Sequence, residues 1–443
     1  MPFTMLHASP YGAMFQCSPT RRMENTSNGV ASSNYGAPAF PHEAKEHVDH
    51  GNHQETVLGR MLESGDWAGA LSRIASHPSE TRNVHQDGRR PLHLACADDA
   101  PAVVVQALLK AYPNASTMVG TSGMTPLHLT CSSDHASVHV VRVLLELGGP
   151  EQCRIRDLDG DTPLHAACRS GAPLEVLEVL LRANPSAVHE RDYEGLTPLL
   201  RLWVRYVVTL GDDALENIRS EADLTGDLGE AWKKTVVLLR CAHHGTLEEN
   251  YQKDNGEIVH AAAAVDCPRP VVKIAARVFS DQLQTRDRNG LTPLLVAAQA
   301  PIFKVRDLSD DGYLLEDIVH GDESGGSDDE EESSETQSPV IEILLQANQG
   351  DASGAACLPD PIGRLPLHLA LETGKKWSQG ICQLSQVHPE GLAHLDRTCN
   401  LYPFMLAAEG DRSDLNTVYE VLRYNPSVFC DLRDGKLSFQ ENK

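Results

Sequence analysis

A short pattern, Pro-Leu-His or a close variant, recurs along this chain of 443 residues and constrains its fold more than any other feature. The positions equivalent to the histidine are 93, 128, 165, 200, 260, 295, 368 and 405. Five of the seven steps between them are 35 to 37 residues long, and the two longer steps contain about 25 and about 38 extra residues. Such a period is typical of stacked structural units rather than of independent domains.

Each unit predicts two helices. In the unit around residue 165, Gly160 supplies the positive φ of a turn, Thr162 can cap a helix and Pro163 suits the first helical position. A second apolar run follows, in which the residues from Val176 to Leu180 have helical spacing. The pair Asn184-Pro185 then predicts the end of the second helix. One pair of this size cannot bury its apolar face alone, so we expect neighbouring pairs to stack.

These residues resemble the Thr-Pro-Leu-His-x-Ala signature of the ankyrin repeat. The resemblance covers about residues 55 to 443 and implies an all-α fold, an ankyrin-type helix-pair solenoid of about eight units. Residues 87–443 would form the repeat array, and residues 55–86, which lack the signature, an N-terminal capping helix pair. The family also implies a structural role for the signature histidines, whose imidazoles tie each turn to its neighbours. These histidines are His93, His128, His165, His260 and His368.

The chain departs from the family pattern in its period, which exceeds the usual 33 residues, and in two insertions. We expect residues 1–54, rich in Ser, Asn, Gly and Pro, to be disordered, and a first insertion to span about 204–232. The second insertion, about 306–338, has thirteen acidic residues and one basic residue, so its net charge is 1 − 13 = −12. A segment of this composition should be a solvated, disordered loop. Within it, Ser327 resembles an acidophilic kinase site. A solubilising loop is the preferred interpretation, and a regulatory or basic-partner-binding loop is the alternative.

Composition excludes several classes of function. The net charge of 38 − 62 = −24 argues against nucleic-acid binding, which needs clustered Lys and Arg. No apolar run approaches the roughly 18 residues that a membrane helix needs, so we expect no membrane association, and the N-terminal residues do not resemble a secretory signal. Eleven is an odd number of cysteines, and three of them recur in the repeat, which favours buried thiols in a reducing cytoplasm. The nucleus is the alternative location.

The sequence predicts no catalytic residues, no cofactor and no metal site. It contains no phosphate-binding loop and no metalloprotease or hydrolase motif. The triplet Asp157-x-Asp159-x-Asp161 resembles a calcium loop, but Thr162 stands where glycine is needed, which favours a repeat turn. Cys241, His243 and His244 lack a second ligand pair, so a helix end is the preferred interpretation. Histidines in the tail could suit Zn²⁺, although a solvated tail is preferred: His42, His47, His50 and His53.

The turns that join one helix pair to the first helix of the next are called fingers here. The ankyrin resemblance implies that the chain binds protein partners through the tips of these fingers and through the concave face of the first helices. On the fingers, the candidate positions are Arg89, Met124, Asp161, Tyr193, Arg288 and Arg364. On the first helices, they are Asp98, Ser133, Arg169 and Glu372. The alternative is that these are ordinary solvated residues. We therefore predict a monomeric, non-enzymatic scaffold; a substrate-recruiting adaptor subunit is the second possibility, and an enzyme with an unrecognised site the third.

Overall fold

A computed structural model describes residues 56–85, 88–204, 218–247, 256–301, 339–348, 352–409 and 413–426. Within these ranges the regular secondary structure is helical and contains no strand. The predicted all-α fold is therefore confirmed. The predicted disordered tail, residues 205–217 of the first insertion and the acidic insertion with Ser327 lie outside the described residues.

The first helices of the repeats begin where the sequence pattern predicts. In most of them a proline occupies the first position, where its missing N–H leaves no carbonyl unpaired. The first helices are α1 (Val57–Glu63), α3 (Pro91–Ala97), α5 (Pro126–Cys131), α7 (Pro163–Ser170), α9 (198–204 as described), α11 (Ile258–Ala264), α13 (Pro293–Gln299), α16 (Pro366–Glu372) and α18 (Pro403–Ala408).

The second helices are longer and carry the apolar runs. They are α2 (Trp67–Ser76), α4 (Ala102–Ala111), α6 (Val138–Gly148), α8 (Leu174–Ala183), α10 (Gly226–His244), α12 (Arg269–Val278), α14 (Pro339–Ala347), α17 (Ile381–Val387) and α19 (Leu415–Tyr424). One more short helix, α15 (Ala352–Cys357), follows α14. We expected the first insertion to reach residue 232, but α10 already begins at Gly226, where Asp227 favours the first turn.

Helices stack in two rows. Among the first helices, α1, α3, α5 and α7 each contact the next, as do α11, α13, α16 and α18. Among the second helices, the series from α2 to α10 is continuous in the same way, and α12 contacts α14. The core between the rows is built from Leu, Val, Ile and Ala, as the low aromatic content predicts. Trp203 is a fully buried exception, and its indole N–H donates to the Thr235 hydroxyl at 2.9 Å.

A short 3₁₀ turn follows six of the described second helices. Proline opens five of these turns, because it ends the preceding helix but suits the first position of the new turn. The sequence predicted the helix ends but not these turns. They are Pro78–Arg82, Pro113–Thr117, Pro150–Arg154, Pro185–His189, Ser280–Gln284 and Pro389–Ala393.

Candidate protein-binding face

The signature histidines join each repeat to the next one. Their Nε2–H groups donate to backbone carbonyls 25 to 33 residues further along the chain. A carbonyl can only accept, so the proton is on Nε2. The acceptors are Met118 for His93 (3.0 Å), Asp161 for His128 (3.1 Å), Leu196 for His165 (3.1 Å), Thr285 and Leu291 for His260 (3.1 Å each) and His394 for His368 (2.9 Å).

The other ring nitrogen, Nδ1, faces the start of the histidine's own helix. In four repeats it accepts the backbone N–H of the N-cap residue at 3.0–3.3 Å, and the donors are Arg90, Thr125, Thr162 and Leu365. Burial lowers the pKa of His93 and of His165 to about 4, and it also lowers the pKa of the other three signature histidines. These imidazoles are therefore neutral at pH 7 and serve as structural connectors.

An aspartate shapes each of five finger turns, a device that the sequence analysis missed. Its Oδ1 accepts backbone N–H groups two to four residues further on, which fixes the turn. Four of the five lie eight residues before the histidine position, so the signal was present in the sequence. The five are Asp157, Asp192, Asp287, Asp360 and Asp396.

Arginines next to two of these aspartates connect one finger with the next. Arg156 donates to the Gly160 carbonyl in its own finger, at 3.0 Å, and to the Arg191 carbonyl in the following one. Arg286 reaches the Pro359 carbonyl in the same way, at 2.8 Å. Backbone bonds add to these contacts, as between the Tyr193 N–H and the Asp159 carbonyl at 3.0 Å. Hydrogen bonds therefore join several neighbouring fingers among the described residues into a row.

Two large apolar side chains project from neighbouring finger tips in this row. Leu158 is 68% exposed and Tyr193 is 67% exposed. The Tyr193 ring lies over Gly160, where a Cβ would be only 2.8 Å from the ring, so the close approach requires glycine. The sequence analysis named Tyr193 but missed Leu158, although both directly follow a finger aspartate.

The other predicted binding residues differ in accessibility. Asp98, Arg288 and Glu372 are exposed like Tyr193, whereas five are half-buried: Arg89, Met124, Ser133, Arg169 and Arg364. The prediction was wrong for Asp161, whose side chain is 0% exposed and cannot meet a partner. Its carboxylate instead lies 2.7 Å from Nη1 of Arg169 and 3.8 Å from Nε of Arg201 in the next repeat.

Asp161 belongs to an ionic cluster that spans two repeats. Nε of Arg201 also contacts the finger aspartate Asp192 at 2.6 Å, and its Nη1 contacts Glu194 at 3.0 Å. Burial raises the pKa of Asp161 to about 6, against the opposing effect of Arg169 and Arg201. The carboxylate is therefore held in its charged form at pH 7 only at a cost in folding free energy.

A second pair brings two of the predicted residues together. Nη1 of Arg364 lies 2.7 Å from Glu372, and its Nε lies 3.1 Å from the finger aspartate Asp360. Arg364 and Glu372 are eight residues apart, as are Asp161 and Arg169, and both pairs occupy the same positions relative to the signature histidine. The signs of the two charges are reversed between the repeats.

One pocket of about 270 Å³ lies where α9, α10 and the end of α11 meet the 3₁₀ turn that follows α8. Aliphatic side chains such as Leu199 and Leu238 line most of it. The polar part includes Arg191 and Asp266, which form an ion pair at 2.7 Å. Both charged groups of this pair therefore have a partner within the protein.

The stacked helix pairs, the N-terminal prolines and the bridging histidines define a helical repeat protein. A family model described as ankyrin repeats (three copies) matches residues 61–151 and 92–192. The chain thus carries ankyrin repeats; their number, about eight, stays a prediction. No curated protein matches the chain. Among the described helices, none is both long enough and apolar enough to cross a membrane.

Proposed function

We propose that the chain is a non-enzymatic scaffold that binds protein partners through its finger tips and the adjoining concave face. The observation that carries this proposal is the exposure of Leu158 and Tyr193 on neighbouring tips of a hydrogen-bonded finger row. Aromatic residues such as tyrosine are enriched in the anchor positions of interfaces. A row whose fingers are already joined by hydrogen bonds loses less conformational entropy when a partner binds.

Charged residues adjoin this apolar pair in the sequence and would form the polar rim of the interface. Glu194 and Arg191 flank Tyr193, while Asp159 adjoins Leu158. Arg288 and Glu372 are exposed elsewhere along the array and would extend the contact for a longer partner. An apolar centre with a polar rim is the usual composition of a protein interface.

The cellular context that we propose is a reducing cytoplasm, with the nucleus as an alternative, and a monomeric chain that binds neither nucleic acid nor membrane. Nine cysteines lie in the described ranges and all are free thiols, six of them buried. Burial raises the pKa of Cys96 and Cys153 to about 12, which keeps these thiols protonated and unreactive. Such thiols support a packing role.

Site-specific photocrosslinking in cells tests the proposed interface. A benzoyl-phenylalanine at position 193 should capture protein partners, while the same probe at Tyr419, which is similarly exposed on α19, should not capture them. Tyr193→Ala and Leu158→Asp should each weaken the captured interaction at least about tenfold. Val103→Asp, at an exposed valine on α4, is the matched control and should leave binding unchanged.

Equal capture at positions 193 and 419 would contradict the finger-tip interface. The identity of the partners separates the two roles considered for the chain. A partner that is part of a modifying enzyme, together with a second protein bound at the same time, would favour the adaptor over the scaffold.

A further inference from the structure

Two histidines and a glutamate converge at the junction between α10 and α11. His243 and His244 are the last two residues of α10, and Glu257 directly precedes α11. Oε2 of Glu257 lies 3.7 Å from Nε2 of His243 and 3.6 Å from Nε2 of His244. One ligand atom from each of the three side chains lies within 4.8 Å of the other two. The chain therefore presents three potential ligands in one place.

These distances are close to those in a zinc site. With bonds of about 2.0–2.1 Å, two ligands of a tetrahedral Zn²⁺ are separated by about 3.3 Å. The two histidine–glutamate distances exceed this spacing by only 0.3–0.4 Å, and the ligand atoms of the two histidines, which lie within 4.8 Å of each other, would draw together around a bound ion. All three are between 14% and 24% exposed, so solvent can deliver an ion and fill a further coordination position. Two imidazoles and one carboxylate form a ligand set that Zn²⁺ uses in proteins.

The backbone at Glu257 departs from the repeat pattern in a way that places this carboxylate. Its φ of +68° and ψ of +16° are in the left-handed region, which a residue other than glycine adopts rarely. Elsewhere the N-cap N–H donates to Nδ1 of the signature histidine, but here Nδ1 of His260 is buried without a hydrogen-bond partner. The glutamate side chain does not cap α11 and lies against the two histidines instead. Strained backbone of this kind clusters at functional sites.

We propose that His243, His244 and Glu257 form a Zn²⁺ site that clamps the fourth repeat to the fifth. Water or a side chain of a bound partner completes the coordination. The C-terminus of α10 carries a partial negative charge, which favours a cation at this position. Cys241 takes no part, because it is buried with its thiol 3.7 Å from the Pro185 carbonyl. All three ligands come from this chain, so the site does not depend on the proposed partner binding.

The alternative to a Zn²⁺ site is a simple ion pair between a protonated histidine and the glutamate. Only the Zn²⁺ site predicts that added Zn²⁺ binds to the chain and stabilises it. The test uses the full chain with His42, His47, His50 and His53 replaced by Ala, so that the tail cannot contribute ligands. Calorimetric titration with Zn²⁺ should show one ion bound per chain. Zn²⁺ should also raise the midpoint of thermal unfolding in the same background.

Two variants in that background remove one ligand each, namely Glu257→Gln and His244→Gln. Each should weaken Zn²⁺ binding at least about tenfold and abolish the thermal shift. The matched control is His388→Gln, which removes a half-buried histidine that lies 3.2 Å from the Cys357 thiol and is not one of the three proposed ligands. This variant should bind Zn²⁺ as the background does. Circular dichroism of each metal-free variant shows that it is folded.

Co²⁺ provides a second measurement that does not depend on stability. The background protein should give visible absorption bands of four- or five-coordinate Co²⁺ without a thiolate charge-transfer band, and Glu257→Gln should lose them. Absence of Zn²⁺ binding up to millimolar concentration would overturn the proposal. It would equally be overturned if Glu257→Gln and His388→Gln bound Zn²⁺ with the same affinity.

Discussion

The repeats around His165 and His368 carry the same ionic device with opposite signs and different burial. In the first, the acid Asp161 is buried and the base Arg169 reaches solvent. In the second, the base Arg364 is largely buried and the acid Glu372 is exposed. The partner spacing is 2.7 Å in both. The inner group of each pair also has a further partner, Arg201 of the next repeat in one case and Asp360 of the same repeat in the other.

The contribution of each pair to stability therefore depends on the burial of its inner group and on where that group finds its further partner. The distance within the pair, which is the same in both repeats, does not decide it. An arginine keeps its charge when it is buried, so Arg364 needs only its two carboxylates. A carboxylate can escape burial by taking up a proton, and the raised pKa of Asp161 records that tendency. The pair around His165 therefore joins two repeats at an energetic cost, whereas the pair around His368 closes locally.

The largest expected effect is a loss of stability in acid, which both repeats share and which arises from their signature histidines, His165 and His368. Their pKa values in the folded chain are lowered, to about 4 for His165, while the unfolded value is about 6.5. The unfolded state therefore binds more protons between these values, and stability should fall as the pH drops from about 6.5 to about 4, by about 3 kcal/mol for His165. Histidine NMR titration and hydrogen exchange of α7 amides measure it.

The variant His165→Gln serves as the control for this prediction, because it removes the titrating group and keeps hydrogen-bonding atoms in the side chain. Its α7 amides should lose part of their acid sensitivity, while those of α16 next to His368 should keep theirs. An imidazole of His165 that titrates near its unperturbed pKa in the folded chain would contradict the interpretation.

The second prediction separates the two repeats by the sign of their pH dependence. Because the pKa of Asp161 is raised to about 6 in the folded chain, the folded state holds this proton at a pH where the unfolded state has lost it. The stability that this proton contributes is therefore present at low pH and is lost as the pH rises towards about 6. Asp161→Asn should therefore gain stability relative to the parent chain between pH 4 and 6, by up to about 2 kcal/mol, and keep that gain above pH 6. Hydrogen exchange of α7 reports the local free energy.

Asp360→Asn provides the opposite case. Although burial acts to raise its pKa, the Arg364 backbone N–H, the Arg364 guanidinium and the Ile362 N–H lower it below the ordinary value. The carboxylate thus stabilises the fold at neutral pH, and this contribution is lost as the pH falls through its pKa. Asp360→Asn should cost about 1 kcal/mol at pH 7 and less in acid. The same direction of pH dependence in both asparagine variants would remove the contrast between the repeats.

Much of this architecture could be predicted from the sequence because it is encoded locally. The signals that form the helices act within one repeat: proline and threonine at helix starts, small residues such as Ala166, and the apolar runs. These signals recur with the spacing of the signature. Local signals also misled in one place, since the glycine at 226 suggested a loop although it begins α10. The aspartate turns were overlooked, although their spacing was visible.

The candidate sites depend on contacts between repeats, which a local pattern does not contain. Asp161 occupies the same repeat position as Arg89 and Met124, yet it is buried because Arg169 and Arg201 gather around it. The proximity of Glu257 to His243 likewise follows from a left-handed backbone conformation that no residue preference indicated. These features required three-dimensional coordinates.

The smallest expected effects come from removing the outer partner of each pair. Arg169→Ala leaves the buried Asp161 carboxylate with only the more distant Arg201, so it should cost about 1–2 kcal/mol at pH 8, reduced because Arg169 is partly solvated. Glu372→Ala should cost under about 0.5 kcal/mol, because Glu372 is exposed and Arg364 keeps Asp360. Urea unfolding and local hydrogen exchange compare the two variants. Equal costs would mean that the distance within a pair, and not its burial, sets its contribution.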